Sequence, residues 1–389
     1  ILNSLKLTVT ENEKDKTIKD DNLVGLLLPL TGEKSSAGNL VINSLRYSML
    51  LKPNQLNFKI FDTKSNPNGA IDAAKKGIDD DIRTFIGPIF SDETKTVRNY
   101  FKNNDNLTFF SLSPDLSNIS NNVIVSGQNP EDQVSCIVQH LAKSETEKIL
   151  LIYHADKYGY VIRNSVLKYV DSFGMSSKST LDMLEVEDNI NLNDEIKRLS
   201  KFESRKLKLN DEILNTKNDM TIEKNQKKKM IKSLERKLTL DSPFDSIIIA
   251  SEGDKLLEIL SHLAFYDINS ENTRIYGTGL WEDSIKKDIV FEGTFFVTSL
   301  KKKDSEFIKS FRNVFSKDPI SFNFHIHDLI ELVQNYKVLH NEEVENRVFY
   351  GEFSNSKISS GLLKREIFLR KIKKNELTED IFNCRLDVI

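Results

Sequence analysis

The sequence predicts an α/β fold of two lobes, each a mostly parallel sheet flanked by helices. Short apolar runs of strand length alternate with helical patterns along most of the chain. Each run stops at a turn rich in Gly, Pro, Ser or Thr, as a strand buried on both faces and followed by a crossover helix should. The series also runs twice, and two successive βα series suit two lobes better than one very large sheet.

The founding unit is Asn22-Leu-Val-Gly-Leu-Leu-Leu-Pro-Leu-Thr-Gly32. Its aliphatic run is too short for a membrane span and too apolar for a half-exposed strand, which leaves a buried parallel strand. Thr31-Gly32 makes the loop, and Leu40, Val41, Ser44, Leu45, Ser48 and Met49 keep helical spacing after it. Leu56–Asp62 alternates as the next strand, Asn66-Pro-Asn-Gly69 turns the chain, and a helix follows through Ala70, Ala73, Ala74 and Ile78. Arg83–Pro88 is a strand, Ser91–Lys102 its helix, Asn106–Leu112 a strand closed by Ser113-Pro114, and Val123–Val125 a short strand before Gly127.

A helix from Asn129-Pro130 to Lys143 leads into the second series. Its strands are Lys148–His154, Thr180–Leu184, Pro243–Ala250, Arg274–Gly277 and Gly293–Thr298, with helices at Val161–Phe173 and Lys255–Ala264. Between them lies an insertion, 191–240, rich in Lys, Glu and Asn and free of proline. Its apolar spacing predicts an antiparallel helical hairpin turning near Asn215–Asp219. It reads either as a solvated arm packed on its own lobe or as a partner-binding arm, and the basic run Lys224–Lys229 reads as a solvated face. Helices at Ser305–Phe315 and His325–Leu339 follow, then late strands at Val348–Phe353 and Glu366–Ile372. The expected division is a tether at 1–21 with a short strand at Leu5–Val9, lobe 1 at 22–127 and 300–345, and lobe 2 at 128–299 and 346–389.

The 389 residues carry 55 basic and 58 acidic side chains, a formal net charge of −3, so neither sign calls for a nucleic acid as partner. No run of about 18 apolar residues occurs to span a membrane. The chain begins at Ile1, and a signal peptide or lipid anchor removed ahead of it is expected. Cys136 and Cys384 fit no metal spacing; they read as free thiols or one bridge, with free thiols favoured.

Catalytic patterns are missing: no nucleophile elbow, no paired-histidine zinc motif, no phosphate-binding glycine loop and no dinucleotide fingerprint after a strand. His325 and His327 lie on a helical pattern and read as surface or satisfied histidines rather than metal ligands. No catalytic residue, cofactor or metal is therefore expected. What remains is a set of loops at strand ends, which border one cleft if the lobes face each other. They carry Thr31, Ser91, Ser113, Ser117, Tyr158, Glu252 and Trp281, the expected ligand-binding residues. Hydroxyls and free N–H groups at helix starts, as at Ser91 and Ser117, suit a carboxylate, although both serines also read as plain N-caps.

At these loops, through LLLPLTG, Phe85-Ile-Gly-Pro-Ile-Phe-Ser91, Ser113-Pro114, Asp156-Lys-Tyr-Gly159 and Phe291-Glu-Gly293, the sequence resembles the type I periplasmic binding proteins, the fold of leucine/isoleucine/valine-binding proteins. Tyr276-Gly-Thr-Gly-Leu-Trp-Glu-Asp283, LLLPLTG and an insertion containing Arg198–Arg205 look most like the LppC-type penicillin-binding protein activators. The resemblance implies that Ser91 and Ser117 stand where that fold holds a ligand carboxylate, and Tyr158 where a cleft aromatic stands. It also sets Ala37 where an aromatic wall is common and Gly279 where an acid would neutralise a ligand ammonium; Glu252 or Glu282 would have to substitute.

The resulting expectation is a non-enzymatic, periplasmic, membrane-tethered lipoprotein that regulates peptidoglycan synthesis through a penicillin-binding protein or other envelope protein. The alternative is a solute receptor of an ABC importer that takes an amino acid or similar small polar ligand.

Overall fold

The computed structural model describes residues 22–51, 56–285, 288–301, 305–338, 344–345, 347–374 and 378–384. The tether expected at 1–21, its short strand included, lies outside the described residues. The chain divides into two compact units, one of residues up to Asn129 with Ser299–Glu366, the other of Pro130–Thr298 with Ile367–Cys384.

The first unit opens with β1 (Leu23–Leu28), α1 (Ser35–Leu51), β2 (Asn57–Asp62), α2 (Pro67–Asp79), β3 (Thr84–Ile86), α3 (Ser91–Phe101), β4 (Thr108–Ser111) and β5 (Val123–Val125). The second holds α4 (Pro130–Lys143), β6 (Lys148–His154), α5 (Lys157–Ser172), β7 (Thr180–Val186), α6 (Leu192–Ser200), α7 (Phe202–Asn218), α8 (Lys224–Leu234), β8 (Ser246–Ala250), α9 (Gly253–Phe265), β9 (Arg274–Gly277) and β10 (Phe295–Thr298). The chain then returns to the first unit for α10 (Ser305–Phe315), α11 (Ser321–Val338), β11 (Val348–Tyr350), β12 (Asn355–Ser359) and β13 (Leu362–Arg365), and ends its described course in the second with β14 (Ile367–Ile372) and β15 (Thr378–Cys384).

Both sheets share one parallel plan. In the first the order is β11-β12-β13-β5-β4-β3-β1-β2, in the second β15-β14-β10-β9-β8-β6-β7. From β2 to β5 and from β7 to β10 every neighbour pair is parallel, and in each sheet the first strand of the series lies between the second and the third. That strand order puts a topological switch point between β1 and β3 and another between β6 and β8, where open α/β sheets leave a crevice at their carboxyl ends.

The aliphatic run of β1 is buried as its composition requires, with Val24, Leu26, Leu27 and Leu28 at 0% exposure. Both faces of the first sheet are covered. Val24, Leu26 and Leu28 pack with α1 and α11, while Leu27 packs with α2 and α3. At about 1.5–3 kcal/mol per buried aliphatic side chain, this strand alone contributes substantially to the unit.

Three departures from the sequence reading have physical causes. Residues 346–366, expected in lobe 2, group with the first unit because β11, β12 and β13 form an antiparallel extension whose last strand joins β5. Cys136 and Cys384, expected rather as free thiols, form a disulfide that ties edge strand β15 to α4. The polar tail, left without an element by its composition, forms β15 by pairing antiparallel to β14.

The insertion is a helical hairpin, but only its outer part is an arm. Its turn follows Asn218, just past the expected place. Leu192 and Ile196 of α6 are buried in the core of the second unit. At the base of α7 the Arg205 guanidinium donates to five backbone carbonyls: Ser200, Leu240, Asp241, Tyr266 and Asp267, at 2.8–3.4 Å. A planar fork of five N–H donors fits this set, and a lysine ammonium does not. Arg205→Lys should therefore lower the stability of the second unit by about 3 kcal/mol, since carbonyls left unmade inside the protein lose partners that water cannot replace. Urea unfolding followed by the fluorescence of Trp281 checks this; a loss under about 0.5 kcal/mol would mean the pin is dispensable.

Candidate functional site

The strand ends are built by one device. In α1, α2 and α5 a glycine in the first turn lies directly over the carbonyl of the strand it follows or of the residue just after that strand. A Cβ would stand 2.1 Å from the Pro29 oxygen at Gly38, 2.1 Å from the Thr63 oxygen at Gly69 and 2.0 Å from the His154 oxygen at Gly159. Any side chain there would push the helix start off the sheet, so the helix N-termini stay close to the strand ends.

In the first unit these ends bring together Thr31, Ser91, Ser113 and Ser117, but each already has a partner in the chain itself. Thr31 Oγ1 donates to Asp62 Oδ2 at 2.7 Å, and Asp62 Oδ1 also accepts the N–H groups of Leu30 and Lys64 at 2.8 Å. Burial pushes the Asp62 carboxyl up, but the Thr31 hydroxyl and the backbone donors of Lys64, Leu30 and Thr31 outweigh it and hold the group below its ordinary range. Ser91 Oγ donates to Asp115 Oδ2, and the Ser117 hydroxyl and N–H both donate to Asp115 Oδ1, at 2.7 and 3.1 Å. Ser113 Oγ accepts the Asp115 N–H at 3.2 Å. Asn118 Nδ2 adds a further bond to Ser91 Oγ at 3.2 Å. The Ser91 and Ser117 hydroxyls and the Ser117 N–H thus grip the chain's own Asp115.

The crevice between β1 and β3 is bridged as well. Lys34 Nζ lies 3.5 Å from Asp92 and 4.3 Å from the centre of the Phe90 ring. Beneath it Glu93 is fully buried, and neither of its oxygens has a hydrogen-bond partner among the described residues. Burial pushes its carboxyl up to about 7, with the nearby Thr63 hydroxyl opposing the shift. Neither Asp62, Asp115 nor Glu93 was singled out by the sequence. Asp62 ends strand β2, Asp115 sits in a loop of ordinary turn composition, and Glu93 lies in a first helical turn, where acids are common.

In the second unit the switch point between β6 and β8 carries His154, whose Nε2 lies 2.8 Å from Ser251 Oγ. Tyr158 is half-buried beside Thr278 and Glu252, and burial raises its phenol above the ordinary range. Glu252 is exposed at the start of α9 without capping it. Trp281 is placed elsewhere: it is fully buried, and its Nε1 donates to the Ile249 carbonyl at 3.1 Å. A Cβ on Gly277 would stand 2.0 Å from its indole, so the Gly-Thr-Gly-Leu-Trp stretch makes room for a core side chain. The Gly279 N–H donates to Gln133 Oε1 at 2.8 Å, and a Cβ there would stand 2.9 Å from the same amide. Glu282, the other candidate acid, is buried and accepts from Thr298 Oγ1 at 2.7 Å.

His325 and His327, which the sequence leaves as surface or satisfied histidines, are buried on α11. His325 Nε2 is 2.7 Å from Ser299 Oγ and His327 Nδ1 is 2.9 Å from Ser48 Oγ. Among the described residues no group of three or more His, Cys, Asp and Glu could hold a metal ion. No helix among them is long and apolar enough to cross a membrane.

Residues 23–183 match the family model of a periplasmic binding protein. Among solved structures, the chain is similar to the leucine-binding protein LivK of Thermotoga maritima, at 14% identity and a TM-score of 0.57, covering 94% of this chain and 99% of that one. It is similar to a solute-binding protein of an ABC transporter from Rhodopseudomonas palustris in complex with 3,4-dihydroxybenzoic acid, at 12% identity and a TM-score of 0.63, covering 94% and 97%. It is also similar to the C-domain of LpoA from Haemophilus influenzae, a regulator of PBP1A, at 12% identity and a TM-score of 0.60, covering 92% and 100%. No curated protein matches the chain. The fold is that of the two-lobed type I periplasmic binding proteins.

Two outcomes test the first unit's site. Asp115→Ala should cost about 1–2 kcal/mol, because it removes a cap and the acceptor of two hydroxyls; unchanged stability in urea would mean Asp115 organises nothing. For Glu93, the folded chain binds the proton more tightly than the unfolded chain. Its contribution is therefore full below about pH 4.5 and is lost as pH rises toward about 7. Glu93→Gln should exceed the wild type in melting temperature by a margin that grows between pH 5 and pH 8, whereas a margin independent of pH would show that Glu93 does not titrate there.

Proposed function

We propose that this chain acts without catalysis in the cell envelope, as a binding-protein-like regulator that contacts a penicillin-binding protein, rather than as a receptor for amino acids. One observation carries the reading: the hydroxyls and amide that would hold a ligand carboxylate are taken by Asp115, and Thr31 by Asp62. A free amino acid would have to displace a fixed carboxylate with its own, exchanging equal bonds at the cost of a repelling, desolvated charge. In the second unit, Gly279 offers no acid for an ammonium, its N–H is held by Gln133, and the Glu282 carboxylate is buried and bonded to Thr298.

The likeness to the LpoA C-domain supplies the kind of partner, and the Cys136–Cys384 disulfide suits an oxidising compartment such as the periplasm. An N-terminal lipid anchor ahead of Ile1 would hold the chain at a membrane. The rival reading, a receptor of an ABC importer, draws on the solute-binding proteins among similar structures and on exposed Glu252 beside half-buried Tyr158. Those groups would favour a small polar ligand other than an α-amino acid.

Thermal-shift screening against amino acids should give no response, while an immobilised chain should retain a purified penicillin-binding protein of the same envelope. A ligand at ~100 times its Kd adds about 2.7 kcal/mol. Stabilisation of that size by any amino acid, or failure to retain the penicillin-binding protein, would overturn the regulator reading.

A further inference from the structure

The hairpin arm carries an excess of positive charge. Residues 191–240 hold fourteen Lys and Arg against eight Asp and Glu, in a chain whose net charge is −3. From Lys224 to Lys237 there are seven basic side chains and one acidic. At 100° per residue, Lys224, Lys228, Lys232 and Lys229, with Arg236 just past the end of α8, fall in one stripe about 140° wide; Met230 and Leu234 fall opposite together with Lys227, and Ile231 falls at the edge of the stripe. All five cations are exposed and Leu234 is buried, while Met230 is exposed and Lys227 is half-buried, its Nζ donating to the Lys217 carbonyl at 3.3 Å. None of the five makes an ion pair among the described residues, whereas Lys217 and Lys237 pair with Glu235 and Asp241. At the tip, between α7 and α8, Met220 is 94% exposed.

Uncompensated lysines beside an exposed methionine, Met220, which Asp219 and Glu223 flank, suit one partner better than another. Protein interfaces are depleted in lysine and anchored by aromatic side chains. The one aromatic residue of this arm, Phe202, is half-buried against Tyr266. A basic helical face with four or more cations and a small apolar insertion matches instead the charge of an anionic bilayer. We propose that the solvent face of α8, with the Met220 tip, docks on an anionic lipid surface. This rests on the envelope location proposed above and gives the chain a second, reversible contact with the membrane, independent of any anchor.

The test uses the chain with vesicles and no other protein, so its outcome is separate from capture of a penicillin-binding protein. The chain should sediment with phosphatidylglycerol vesicles and not with phosphatidylcholine vesicles, and should be released by about 0.5 M salt. At about 1 kcal/mol, or about fivefold, per cation near an anionic membrane, Lys228→Gln/Lys229→Gln/Lys232→Gln should lose about 100-fold in partitioning. Lys76→Gln/Lys95→Gln/Lys102→Gln, the same charge change in the first unit, should lose little, and melting curves of both variants should match the wild type. Absence of sedimentation, equal binding to neutral vesicles, or equal losses in the two triple variants would overturn the proposal. So would an acidic protein held through these lysines by a chain that ignores vesicles.

Discussion

The constraint on which this molecule depends is the close approach of helix to strand at the carboxyl ends of its sheets. A parallel strand buried on both faces leaves its last carbonyls pointing into a turn, where they must be met or solvated. Here Gly38, Gly69 and Gly159 let three helices start within contact of those carbonyls. The loops are thereby short and fixed, and their hydroxyls are brought within reach of neighbouring loops. Asp62 and Asp115 then complete the arrangement from within, each collecting donors from a loop other than its own.

This is why the fold was legible in the sequence and the site only half so. Strand length, aliphatic content and turn residues predicted the parallel strands within a few positions, because burial on both faces leaves no alternative composition. The antiparallel strands β12, β13 and β15 were missed: β12 is polar, β15 is polar and largely exposed, and β13 has only four residues, so none carries the aliphatic run of a strand buried on both faces. Thr31, Ser91, Ser113 and Ser117 were found because hydroxyls at helix starts are a local signal. Their acceptors were not, because an aspartate at a strand end or in a turn looks the same whether it faces water or a neighbouring loop.

Trp281 shows the opposite failure. A tryptophan in a loop after a strand reads as a ligand-binding residue, and Gly277 lies four residues before it. Together they have one structural cause, an indole laid against a backbone that has no Cβ to obstruct it. A motif can therefore identify a fold through its packing and still say nothing about a ligand. The same holds for the buried carboxyl of Glu93: it lies under the loops of the first switch point, yet the charge above it is already balanced between Lys34 and Asp92.

The insertion completes the division of labour between burial and charge. Its base belongs to the second unit, through Leu192, Ile196 and the Arg205 guanidinium that gathers five carbonyls from three segments. That pin fixes where the arm leaves the sheet, while the arm beyond it buries little. A hairpin with so small a core needs one apolar stripe between α7 and α8, and the outer face is free of any packing requirement. If solubility were the only demand on that face, mixed charges would serve it better, since like charges along a helix repel and destabilise it. A stripe of unpaired lysines works against the helix that carries it, and a partner of opposite charge removes that repulsion.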